Sequence, residues 1–112
     1  PDPAAYMQIG TDRFRGGGLA KASIMSAPGI KAAIDDGILD IQFKVVSFET
    51  VFFDNMGNAV PMASAGGNFS ERQRDTFRKL SRGKRFYISR ITAVGPDGIT
   101  RKLNGSMEVI VK

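Results

Sequence analysis

Two chemically versatile residues are missing from this 112-residue sequence: it has no cysteine and no histidine. Without cysteine there is no disulfide and no thiolate metal site. Without histidine the chain lacks the usual general base, the commonest metal ligand and every Ser–His or Cys–His nucleophile arrangement. Any catalysis would rest on carboxylates, lysine or tyrosine. No apolar run approaches the roughly eighteen residues that a membrane-spanning helix needs. An initiating methionine and a signal peptide are also missing. The start Pro1-Asp2-Pro3 reads as a piece excised from a longer protein, with any targeting segment upstream.

What is present suits one packed core. Hydrophobic residues are 42% and charged residues 24% of the chain, which at this length fits a single domain, residues 1–112. Thirteen glycines, five prolines and eight phenylalanines lean toward strands joined by tight turns.

The best-signalled stretch runs from Phe69 to Leu103. Ser70 and Gln73 make a capping box that starts a helix over residues 70–82, and Gly83 suits its C-terminal cap. Gln73, Phe77 and Leu80 form its narrow inward stripe, and Asp75 stands four residues before Lys79. Phe86 to Val94 reads as a strand. Gly95-Pro96-Asp97-Gly98 then turns the chain into an arm, Ile99 to Leu103.

Earlier, Ala4 to Gly10 reads as a short strand and Arg13 to Gly18 as a loop. Ile30 to Ile34 fits either a helical turn or a strand. Ile38 to Phe53 is a long strand whose inward face switches at Val45-Val46, and Phe86/Ile88 giving way to Ile91/Ala93 is a similar switch. The first suggests a bulge, or a strand buried on both faces in part of its length, and the second repeats the pattern. Ala59 to Met62 reads as an edge strand, because Pro61 cannot donate to a ladder. Met107, Val109 and Val111 alternate in a closing strand. The expected fold is mainly β: an antiparallel, Ig-like β-sandwich of about six to eight strands with one helix over one end.

Motifs that suggest chemistry are better explained by geometry. Ser81-Arg82-Gly83-Lys84 matches the serine–lysine acyl-enzyme spacing, but the serine sits where the helix ends and no K-T-G follows. The loop from Asp54 has Ala65 where a calcium loop needs its bidentate glutamate. Gly16-Gly17-Gly18 lacks the lysine of a phosphate loop. No cofactor and no metal site is expected.

Charge is the remaining signal. Residues 1–68 carry five basic and seven acidic side chains, giving −2, whereas residues 69–112 carry eleven basic and four acidic, giving +7. Arg78, Lys79, Arg82, Lys84 and Arg85 cluster around the expected helix end, and Arg101 and Lys102 lie on the hairpin arm. These seven are the candidate interaction residues, with a protein partner as the first reading. The alternative is a nucleic-acid-binding module using the basic surface of residues 72–102, with Phe86 or Tyr87 stacking on bases.

The chain resembles the C-terminal domain of the GldM/PorM family of gliding-motility and type IX secretion proteins. The resemblance is carried by the order of Phe43-Lys44-Val45-Val46-Ser47-Phe48, the helix ending Leu80-Ser81-Arg82-Gly83, the strand Tyr87 to Val94, and Gly95 to Leu103. It implies a non-enzymatic periplasmic domain of a dimeric shaft, anchored upstream in the inner membrane. Such a shaft links the inner-membrane motor to periplasmic ring proteins and a lipoprotein at the outer membrane. The family offers no catalytic motif to transfer.

Overall fold

The computed structural model describes residues 2–112. The chain runs β1 (Ala4–Ile9), β2 (Asp12–Phe14), β3 (Gly17–Leu19), α1 (Lys21–Ser26), β4 (Lys31–Asp35) and β5 (Asp40–Phe53). It continues through β6 (Ala59–Ala63), α2 (Glu71–Lys79), β7 (Arg85–Val94), β8 (Thr100–Lys102) and β9 (Met107–Val111).

All nine strands belong to one sheet, in the order β2-β1-β4-β5-β7-β9-β3, with β6 joined to β5 and β8 to β7. Every pairing is antiparallel except β3 with β9. The expected Ig-like sandwich is therefore wrong. Two long strands, β5 and β7, are each shared by both halves of the molecule. β4 pairs with the start of β5 and β6 with its end, while β9 pairs with the start of β7 and β8 with its end. One sheet thus does the work expected of two.

The sheet is curled and open, a half-barrel. β2 and β3 stand at its two edges, yet only Arg15 and Gly16 separate them in sequence. Three Cα steps, from Phe14 to Gly17, reach at most about 11 Å. The edges must approach one another there.

The two face switches in the sequence are a matched pair of bulges. Val45 pairs with Ala93 and Glu49 with Ser89, so the register is the same before and after the irregularity between them. β5 takes up its extra residue at Val46, next to the Ser47–Thr92 pair, and β7 takes up its own just past it. Arg90 there adopts φ 51°, the only positive φ outside glycine among the described residues. Both strands then resume inward alternation: Phe43, Val45, Phe48 and Phe52 on β5, and Phe86, Ile88, Ile91 and Ala93 on β7, are all buried. Paired bulges bend the sheet without costing register.

Helices, not a second sheet, close the concave face at one end. Phe77 of α2 packs against Phe69 (4.9 Å between ring centroids) and Phe86 (4.9 Å), and Phe52 meets Phe86 at 5.3 Å. The Phe69–Phe77 pair is edge-to-face and the other two are tilted, and such contacts supply large buried area. α1 packs on α2, with Ile24 buried. α1 was not expected: its N-cap position is Ala20, with no side-chain cap, so no start signal marks it. The expected helix over residues 70–82 is shorter, Glu71–Lys79, and ends on an extended Leu80. Its capping box is present as expected, but Gly83 lies in the following turn and Asp75 pairs with Arg78, not Lys79. The ambiguous stretch at Ile30–Ile34 is strand β4 from Lys31 onward.

Gln73 ties α2 to the sheet. It is fully buried. Its Nε2 donates to Thr50 Oγ1 and to the Met62 carbonyl, each at 2.9 Å, and its Oε1 accepts from the Ser70 N–H at 2.8 Å. One side chain thus caps its own helix and fastens it to β5 and β6.

Candidate functional site

The seven cations singled out in the sequence do not form one surface. Arg78 and Lys79 occupy the last turn of α2, where the helix dipole favours positive charge. Arg82 and Lys84 follow on an exposed turn, which is closed by Lys84 N–H donating to the Ser81 carbonyl. Gly83, at φ 88°, donates its N–H to the Val111 carbonyl, and the Val111 N–H donates to the Lys84 carbonyl. The turn is therefore pinned to the end of β9. The Ser81–Lys84 spacing is this turn, which follows the helix end at which the sequence reading placed it.

Arg85 opens β7 beside β9. Its Nη1 bonds Glu108 Oε2 at 3.0 Å, and the Tyr87 hydroxyl donates to the same oxygen at 2.9 Å. Contact with the Tyr87 hydroxyl, then the charge of Glu108, raises the Arg85 pKa further above its ordinary value. Arg85 is thus partly committed within the fold, while Lys79, Arg82 and Lys84 are exposed with no carboxylate partner among the described residues.

Tertiary structure adds two cations to this end that the sequence did not assign to it. Lys21, at the start of α1, donates from Nζ to the Arg78 carbonyl at 2.6 Å. Lys112 follows β9 next to the pinned turn, its N–H bonding the Leu19 carbonyl. Neither lies near Arg78 in the sequence; helix–helix packing and the parallel β3–β9 pairing bring them there.

Arg101 and Lys102 sit elsewhere. β8 pairs with the far end of β7, Lys102 opposite Thr92. Seven strand steps lead from Arg85 to Thr92, roughly 23 Å at about 3.3 Å per step. In a body 42 Å long, the two groups face different regions. Arg101 is also engaged: its Nη2 meets Asp97 at 2.7 Å and its guanidinium lies 5.7 Å from the Phe43 ring centre. The hydrogen bond from Arg101, then that from the Ile99 N–H, holds the Asp97 carboxyl below the usual range. Lys102 remains the exposed cation of that arm.

A further charged cluster escaped the sequence reading, which placed Arg13 and Arg15 in a loop. Arg13 bridges Asp35 at 3.0 Å and Asp40 at 2.8 Å, and stacks 4.7 Å over Tyr6. Arg15 approaches Asp35 at 3.8 Å and lies 5.5 Å from the same ring. Tyr6 is consequently buried on the outer face of the sheet. Its hydroxyl donates to Gln42 Oε1 at 3.1 Å. The cluster fastens β2 to β4 and β5.

The acidic turns are structural in these contacts. Asp54 Oδ1 accepts from the N–H groups of Met56 and Asn58, the Asx geometry expected of such loops. Among the described residues there is no group of three or more metal-type side chains and no helix long and apolar enough to cross a membrane.

The nucleic-acid alternative loses its aromatic platform. Phe86 is fully buried between Phe52 and Phe77. Tyr87 is half-buried, with its hydroxyl on Glu108 and its ring edge-on to Phe53. Neither presents a free face for a base to stack on.

Compared with known proteins, the whole chain, residues 1–112, matches the family model described as the GldM C-terminal domain. No curated protein matches.

Proposed function

This chain belongs to the GldM C-terminal domain family, and from that premise we propose that it docks its shaft onto the periplasmic ring through the basic end of the molecule. Domains of this family are structural, and they make protein–protein contacts in the periplasmic machinery of gliding motility and type IX secretion. The finer reading is that this domain is the distal part of a longer protein, a dimer anchored upstream in the inner membrane. It joins the motor to ring proteins and a lipoprotein beneath the outer membrane.

One observation carries the choice of surface. The turn bearing Arg82 and Lys84 is tied by backbone bonds to β9, so the main chain that carries these exposed cations is ordered before binding. An ordered turn reduces the backbone part of the ordering cost, and its charge steers an acidic partner to this end. Arg78, Lys79, Arg82, Lys84 and Arg85 form this contact. Arg101 and Lys102 belong to a separate face, where Lys102 is the binding cation and Arg101 supports the arm.

Capture of the ring proteins by the purified domain tests the proposal, comparing wild type with Arg82→Glu/Lys84→Glu. The charge-reversed protein is expected to lose capture. Binding by the wild type should fall steeply with salt. Unchanged capture by the doubly reversed protein would remove these residues from the interface.

A further inference from the structure

The helices cover only one face of the sheet. Phe52 and Phe86 meet Phe77 of α2 on that face, so their strand neighbours Val51, Phe53, Arg85 and Tyr87 point the opposite way. An antiparallel sheet with one face in water carries polar residues on that face. Farther along the outer face this holds, where Glu49 of β5 lies opposite Ser89 of β7. At the end next to the basic turn it does not. Pro61, Val51 and Tyr87 form a cross-strand row that ends at Glu108. Beside that row, Ala59 pairs with Phe53 and Arg85 with Ile110, and the Phe53 ring stands edge-on to Tyr87 at 6.0 Å. Phe53 is 45% exposed, and Ala59 and Pro61 are exposed as well.

The charges within this patch cancel, because Arg85 and Glu108 bridge each other. Its margin is positive. Lys112 continues the outward alternation of Glu108 and Ile110. Its stem lies over Gly18, where an added Cβ would stand 2.6 Å from Lys112 Cε, and Gly18 pairs with Ile110. Lys84 immediately precedes Arg85. Lys84 and Lys112 are both exposed, with no carboxylate partner among the described residues.

We propose that this outer face is the apolar centre of the ring contact. The partner sets an uncharged apolar surface against Phe53, Val51, Pro61 and Ile110, while its carboxylates meet Lys84 and Lys112 at the margin. The inference rests on the ring contact proposed above and adds what exposed cations cannot supply. Exposed ion pairs contribute little affinity, whereas an aromatic anchor that loses its water on binding contributes much. Two observations identify the occupant. The basic end and the apolar face share Arg85, so an acidic partner steered to the first lies against the second. A second copy of the chain would bring residues 69–112, at +7, against themselves, and facing like charges disfavour that pairing.

Titration of the purified ring proteins against the domain, at about 0.05 and 0.5 M salt, tests the proposal. Phe53→Ser should weaken binding about thirtyfold, the loss expected of an anchor residue, and by the same factor at both salt levels. Ile110→Thr keeps the branched shape and should weaken binding severalfold. Arg82→Glu/Lys84→Glu should lose affinity chiefly at low salt. Both apolar variants should keep the far-UV circular dichroism spectrum and a cooperative urea transition, since neither side chain belongs to the buried core.

Undiminished binding by Phe53→Ser, with loss in the charge-reversed protein, would overturn this inference and leave the basic end as the contact. Loss in Phe53→Ser with none in the charge-reversed protein would support the apolar face and remove the cations. Undiminished binding by both would overturn both readings. Self-association of the wild-type domain in sedimentation equilibrium that Phe53→Ser abolishes would also overturn the inference, because a second copy would then occupy the face.

Discussion

Replacing Gln73 by methionine probes the joint between helix and sheet. The substitution nearly keeps the side-chain volume and leaves the backbone half of the N-cap intact, because the Gln73 N–H still donates to Ser70 Oγ. It deletes three hydrogen bonds, to Thr50, Met62 and Ser70. Each is worth about 1 kcal/mol net, and the stranded Thr50 hydroxyl and Met62 carbonyl add a desolvation cost. Greater apolar character in the new side chain offsets part of the loss. The balance is about 2–3 kcal/mol, or a Tm lower by roughly 8–12 °C for a domain of this size. Urea unfolding followed by far-UV circular dichroism measures it directly. Thr50→Val alone should cost about 1 kcal/mol, and the double variant should lose less than the two single losses combined, since both remove the same bond. A Gln73→Met protein within about 0.5 kcal/mol of wild type would refute the reasoning. The aromatic contacts of Phe77 would then anchor α2 without help.

Two further perturbations follow from the backbone and the acidic turns. Arg90 sits at φ 51° with an exposed side chain that meets Glu49 at 3.4 Å; left-handed backbone at a non-glycine residue costs about 1–2 kcal/mol. Arg90→Gly should therefore match or exceed wild-type stability in urea, and Arg90→Val should fall about 1–2 kcal/mol below the glycine variant. Equal stability of the two would mean that the bulge is unstrained. For pH, the carboxyls of Asp36, Asp40, Asp54 and Asp97 are all lowered in the fold, chiefly by the Leu39 N–H, Arg13, the Asn58 N–H and Arg101 respectively. Depressed folded pKa values give stability that is complete above the unfolded value of about 3.9 and is lost as pH falls through the folded values. The urea midpoint should be flat from about pH 5 to 7 and decline below about pH 4; a midpoint that rises on acidification would contradict those contacts.

Much of the local structure is legible in the sequence because local rules govern it. Ser70 and Gln73 mark a cap that the structure contains. The face switches at Val45-Val46 and after Ile88 mark two real bulges, since burial on one side imposes a period of two and an interruption shows. What the period cannot say is which strand lies alongside. Fourteen residues of β5 read equally well as a sandwich strand or as a beam shared by two halves of one curled sheet. Six-residue α1 has no cap signal and is held by α2, so nothing local announces it. The basic patch was divided by strand length. Arg85 and Arg101 lie near each other in sequence, but the ten residues of β7 carry the chain away before β8 turns back only three residues. Lys21 and Lys112 join the patch solely through long-range packing.

The parallel pairing of β3 with β9 also sets the order in which the domain can be completed. Among the described residues β3 has β9 as its only strand partner, with Gly17 beside Val109 and Leu19 beside Val111. Some ninety residues must be synthesised between those partners, and contacts so distant form late because the loop must close first. A nascent chain still lacking residues 107–111 therefore cannot seat β3, and it cannot pin the turn of Arg82 and Lys84. The basic end is finished last, so a chain released early lacks the pinned form of that turn.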